Sequence, residues 1–135
     1  ASIIEKETGL ASERARVAAV FVNRLRLEMP LQSDPTVLYS LTKGAKHLGR
    51  PLARSDLKND SPYNTYVHTG LPPGAIANPG RSSIIAALNP EDSEELYFVA
   101  DGHGGHRFAR TLSQHNDNVA TFRRARANLK ECGNC

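Results

Sequence analysis

Apolar residues recur at helical spacing through the opening stretch of the chain. At about 100° per residue, Ile3, Ile4, Glu7 and Leu10 fall on one stripe, with Glu7 near its centre and Glu5 toward the polar side. On this reading Glu5 stays solvated while Glu7 points where the apolar residues point. Ser12 is placed to N-cap the next helix, with Glu13 favourable to its dipole. Residues 16–25 carry apolar positions at helical spacing with arginines on the other face, and this helix should end before Pro30. Asp34-Pro35 reads as an N-cap and a first-turn proline, opening a short helix through Val37, Leu38 and Leu41. Ser55 is placed to cap a short turn through Leu57.

The periodicity then stops. Residues 61–80 interleave prolines and glycines with Tyr63, Asn64, Thr65 and Tyr66, a composition for a long ordered loop. Such a loop either presents binding groups or wraps the core, and it leaves room for further strands. Residues 81–88 read as a helix ended by Asn89-Pro90. Residues 96–100 form the clearest strand, 101–105 a glycine-rich turn and 106–110 the return strand of a hairpin. A last helix covers roughly 113–130, with Val119 and Phe122 inward and arginines outward. The order predicts an α+β fold: several helices around a small antiparallel sheet that includes the hairpin at about 95–110. A single domain is expected over 1–130, without internal repeats, followed by a disordered tail at 131–135.

With 135 residues, the chain is long enough for one domain with a moderate core. No stretch approaches the apolar length of a membrane span, and no signal peptide opens the chain. The chain starts within an apolar run and has no initiator Met, so it reads as a domain excised from a longer protein. The net charge of +3 is mild, and the basic residues are dispersed until Arg123, Arg124 and Arg126. A nucleic-acid binder calls for a concentrated stripe with interleaved aromatics, so no nucleic-acid partner is expected. Cys132 and Cys135 supply at most half of a zinc site and read as part of the tail.

Candidate chemistry narrows by elimination. His103, His106 and His115 lack the convergent partners of a metal site, and no metal or other cofactor is expected. His115-Asn116 reads as a structural or a substrate hydrogen-bonding pair. No Gly-x-Ser-x-Gly and no phosphate-binding glycine loop is present. Carboxylates remain. Glu7 on an apolar stripe is either a general acid whose pKa is raised by burial or a half-buried partner of an arginine. Asp34 is either a helix cap or a second carboxylate, and Gln32 beside it is a candidate ligand-binding amide. If Glu7 alone is poised, the reaction needs one carboxyl group rather than a hydrolytic pair.

Several motifs then coincide. Glu5-Lys6-Glu7-Thr8, Val20-Phe21-Val22-Asn23-Arg24-Leu25, Leu31-Gln32-Ser33-Asp34-Pro35-Thr36, Tyr63-Asn64-Thr65-Tyr66, Gly70-Leu71-Pro72-Pro73-Gly74, Asn78-Pro79-Gly80, Tyr97-Phe98-Val99-Ala100-Asp101-Gly102 and His106-x-Phe108 resemble the catalytic domain of the YceG-like family of endolytic murein transglycosylases. The resemblance runs from residue 1 to about Phe122. It implies a bacterial enzyme anchored in the inner membrane, with its catalytic domain on the periplasmic side. Its substrate would be peptidoglycan glycan strands, and cell-wall synthesis machinery would be a further partner. Such an enzyme cleaves the N-acetylmuramic acid–N-acetylglucosamine bond within strands and leaves 1,6-anhydro ends. The resemblance puts the catalytic acid, acting afterwards as base, at Glu7. Membrane attachment would come from a segment outside this chain. By residue type and motif membership, Gln32, Tyr63, Asn64 and Tyr66 are expected in the saccharide groove, and Ser33, Asp34, Thr69, Asp101 and His115 are further candidates. The alternatives are a lysozyme-like muramidase using Asp34 as second carboxylate, and a non-catalytic peptidoglycan-binding module.

Overall fold

Six residues make the first helix, α1 (Ser2–Glu7), which is too short to be stable alone and is held by burial of Ile3 and Ile4. The structure, a computed structural model, describes residues 1–45 and 47–132. Helix α1 ends at Glu7 because Thr8 is extended (φ −142°, ψ 137°) and its Oγ1 accepts the Leu10 N–H. Leu10 therefore leaves the stripe and is exposed, a correction to the expected helix. Glu5 differs from expectation as well. It is half-buried and bonded by the Ser83 hydroxyl at the start of α4 (Arg81–Leu88). Ser83 and the Gly80 backbone N–H hold its carboxyl below the usual range, as suits an anion at a helix N-terminus.

A single 3₁₀ turn at Ala11–Glu13 leads into α2 (Arg14–Arg26), which ends before Pro30 as expected. Ser12 makes no capping bond. Glu13 is drawn instead to the hairpin, where its carboxylate accepts the His106 backbone N–H at 3.0 Å and pairs with His106 Nδ1 at 2.7 Å. Val17, Ala18, Val20 and Phe21 bury the inner face of α2. Arg24 lies on that same face, one helical repeat from Val17, and is buried rather than outward. In α3 (Asp34–Thr42) the cap sits one residue earlier than expected: Ser33 is the N-cap, Asp34 the first helical residue and Pro35 the second. Ser55 precedes the 3₁₀ turn Asp56–Lys58 without a side-chain bond; Asp56 ties that turn through Ala53 N–H and both Nη atoms of Arg50.

Residues 61–80 form neither helix nor strand, yet Ser61, Asn64, Thr65 and Ile76 are buried, so the segment wraps the core through turns. The strands among the described residues are β1 (Tyr97–Ala100) and β2 (His106–Ala109), an antiparallel pair in register Tyr97↔Ala109 and Ala100↔His106. Helix α5 (Leu112–Cys132) packs on this hairpin with Val119 and Phe122 half-buried and Arg123, Arg124 and Arg126 exposed. Phe98 carries the hairpin onto α2 by an edge contact with Phe21 at 5.8 Å. The core is Ile3, Ile4, Val17, Ala18, Phe21, Leu31, Ile76 and Ala86. The architecture is α+β, with five α-helices and a two-stranded sheet among the described residues. No helix among the described residues is long and apolar enough to cross a membrane. Of the tail expected at 131–135, residues 133–135, Cys135 included, lie outside the described residues, as does the Cys132 side chain.

Candidate active site

The end of α1, the inner face of α2, the segment before α3, the hairpin and the start of α5 enclose a cleft of about 550 Å³. Glu7 enters it because Thr8 stops the helix at that point, leaving the carboxyl beyond the Ile3–Ile4 contact. Ser33, 1% exposed, donates its hydroxyl to Glu7 Oε1 at 2.6 Å. Burial pushes the Glu7 pKa up, the nearby Asp34 charge adds to this, and the Ser33 bond and His106 oppose it. Burial prevails, so the carboxyl holds its proton to higher pH than an ordinary glutamate. It forms no ion pair with an arginine among the described residues.

Ser33 is itself fixed. Its N–H donates to Thr65 Oγ1 at 2.9 Å, and Thr36 Oγ1 donates to its carbonyl at 2.7 Å. Gln32 lies in the left-handed region (φ 50°), which turns its amide into the cleft beside Arg24. Its N–H bonds the Thr65 carbonyl at 3.2 Å, so the loop at 61–80 holds the segment that positions Glu7. Asp34 lines the cleft and accepts the Tyr66 hydroxyl at 2.5 Å. Burial and that bond raise the Tyr66 pKa, so the phenol stays protonated as a donor. His115 lines the far wall, stacked on Tyr97 at 5.0 Å, and burial lowers its pKa.

The remaining candidates lie outside the cleft lining. Tyr63 packs its ring on Tyr39 at 4.8 Å, against the core. Asn64 is wholly buried, its amide spent on Leu57 O, Asn59 O and the Tyr66 N–H. Thr69 is exposed on the loop. Asp101 closes the hairpin turn, accepting the His103 and Gly105 N–H groups. Among the described residues, no group of three or more histidines, cysteines or carboxylates converges as a metal site.

Sequence reasoning did not assign Arg24, Tyr97 or His106 to the groove, yet all three line the cleft. Arg24 had a signal, since it continues the Val17, Val20, Phe21 stripe. His106 had a weaker one: it alternates with Phe108 on a strand, but its tie to Glu13 spans 93 positions.

The sequence profile of the YceG-like family matches residues 1–121. The chain belongs to the YceG-like family. Relatives named endolytic murein transglycosylase agree with this. The Bacillus subtilis protein is 52% identical over 116 residues, which is 86% of this chain and 31% of that protein. The Streptococcus pneumoniae protein is 40% identical over 124 residues, 89% of this chain and 22% of that protein. The crystal structure of a YceG-like protein from Listeria monocytogenes superposes with a TM-score of 0.76 at 50% identity, covering 86% of this chain and 36% of that one. This YceG-like chain thus spans about a third or less of the relatives it matches.

Proposed function

We propose that this domain is a lytic transglycosylase that cleaves the N-acetylmuramic acid–N-acetylglucosamine bond inside peptidoglycan strands and leaves 1,6-anhydro ends. The observation that carries the reading is Glu7: one carboxyl group with a raised pKa, clamped by a buried serine, in a cleft of the YceG-like fold. Protonated Glu7 donates to the leaving glycosidic oxygen. The anomeric carbon gains oxocarbenium character. Glu7, now anionic and held by Ser33, accepts the proton of the muramoyl 6-hydroxyl as that oxygen closes onto the anomeric carbon.

The nucleophile is part of the substrate, so its effective concentration is high and no water-activating base is required. General acid–base assistance of this kind contributes about 10²–10⁴-fold. Gln32, Asp34, Tyr66 and His115, which line the cleft, are assigned to hydroxyl and acetamido groups of the strand. Tyr63 and Asn64 act on the groove through the loop they stabilise, and Asp101 through the turn it closes. In the longer protein, a membrane anchor outside this chain would hold the domain at the extracytoplasmic face, where the strands are.

The test is Glu7→Gln, which keeps an acceptor for Ser33 and removes the proton donor. It should abolish cleavage and preserve binding of glycan strands; unchanged cleavage would remove Glu7 from the reaction. A muramidase is the second reading, favoured by the presence of Asp34 in the same cleft.

A further inference from the structure

Among the described residues, Arg24 is a buried cation without a counter-ion. It is 6% exposed. Its Nε donates to Leu96 O at 2.7 Å, and its Nη1 donates to Pro30 O at 2.7 Å and to Gln32 Oε1 at 3.4 Å. Among the described residues no carboxylate lies within ion-pairing distance of it, although Glu7 and Asp34 line the same cleft. Among the described residues, every hydrogen-bond partner of Arg24 is a neutral carbonyl oxygen. Nη2 makes no hydrogen bond among the described residues, and Arg24 lines the cleft. Burial draws the Arg24 pKa down, a sign that the charge is under-solvated.

Beside it stands an aromatic wall. The guanidinium lies 5.0 Å from the Tyr97 ring centroid, and Tyr97 stacks on His115. Burial and Arg24 both lower the His115 pKa, so this wall adds no second positive charge. A buried guanidinium with spare donors favours one more oxygen and strongly disfavours another cation.

We propose that Arg24 is a specificity-determining residue: it binds the carbonyl oxygen of a 2-acetamido group on the strand and rejects the 2-ammonium of a de-N-acetylated sugar. This rests on reading the cleft as a glycan site. An acetamido group supplies an amide oxygen of the kind Leu96, Pro30 and Gln32 already give, and its methyl meets the Tyr97–His115 wall. A 2-ammonium brings a second positive charge into a partly desolvated pocket, where like charges repel more than in water.

The test compares kcat/KM on N-acetylated and chemically de-N-acetylated peptidoglycan strands within one enzyme preparation, so that loss of folded protein cancels in the ratio. The wild type should prefer the acetylated strand by at least about ten-fold. Arg24→Lys should raise KM yet retain the bias against ammonium, and Arg24→Gln should bring the ratio toward unity. Calorimetric titration of the N-acetylglucosamine tetramer and its de-N-acetylated counterpart into Glu7→Gln reads the same preference without chemistry. Equal handling of both glycans by the wild type overturns the proposal. Acetylation-dependent binding without anhydro products would leave it standing while the transglycosylase mechanism falls. Binding of neither oligosaccharide would remove the glycan reading and Arg24's role with it.

Discussion

Ser33→Ala isolates the contact that tunes Glu7. The substitution deletes one hydroxyl from a side chain that is 1% exposed and leaves the backbone bonds of Ser33 in place. The lost bond is the 2.6 Å donation to Glu7 Oε1. A hydrogen bond to a neutral group contributes about 1 kcal/mol and one to a charged group about 1.5–3 kcal/mol. The variant therefore penalises ionised Glu7 by roughly 1 kcal/mol more than protonated Glu7. Burial already raises the Glu7 pKa and Ser33 opposes it, so the variant raises it further. Since the folded state holds this proton to higher pH than the unfolded chain, stability falls as pH rises from the ordinary carboxylate value through the folded one. The stability lost by Ser33→Ala should thus be about 1 kcal/mol where Glu7 is protonated and about 1.5–3 kcal/mol where it is ionised, read by urea unfolding.

Activity carries the same signature. The alkaline limb of kcat/KM, where the acid form is lost, should move to higher pH in Ser33→Ala. The carboxylate formed during proton donation loses its clamp, so kcat at the optimum should fall by roughly five-fold. Release of labelled fragments from peptidoglycan across the pH range measures both. A limb that stays in place or moves to lower pH, with a pH-independent stability loss, would refute the reasoning.

Other substitutions separate positioning from chemistry. Tyr66→Phe removes the hydroxyl that Asp34 accepts; kcat/KM should drop while stability changes by no more than about 1 kcal/mol in urea unfolding. Asn64→Ala strands two carbonyls and the Tyr66 N–H in the interior, and should cost roughly 2–3 kcal/mol in the same assay, with activity falling in step with folding. Asp34→Asn should keep activity within about ten-fold of wild type, whereas a muramidase needing Asp34 as second carboxylate would lose about 10²–10⁴-fold in a fragment-release assay.

Local pattern made much of the fold legible. The α2, α4 and hairpin segments follow from spacing, proline stops and strand composition, and the stripe through Ile3 and Ile4 correctly carried Glu7 inward. Features decided by distant partners were not legible. Glu5 looked solvated because nothing local reveals Ser83, 78 positions away. Glu13 looked like a helix-dipole residue, but the hairpin takes its carboxylate. The polar motif Tyr63-Asn64-Thr65-Tyr66 suggested three groove ligands, Tyr63, Asn64 and Tyr66, yet turn geometry sends the neighbours Asn64 and Thr65 inward. Asn64 and Thr65 become buried staples, Tyr63 meets Tyr39, and only Tyr66 reaches the cleft. Arg24 hid behind the rule that arginines face water, although its position on the buried stripe of α2 was visible.

The central claim is that the substrate's own 6-hydroxyl, rather than water, takes the bond that Glu7 breaks. Digestion of purified glycan strands in heavy-oxygen water, read by mass spectrometry of the new ends, tests it most directly. The account predicts anhydro ends without incorporated label from the wild type and no new ends from Glu7→Gln. Reducing ends one water heavier and carrying the label would contradict it.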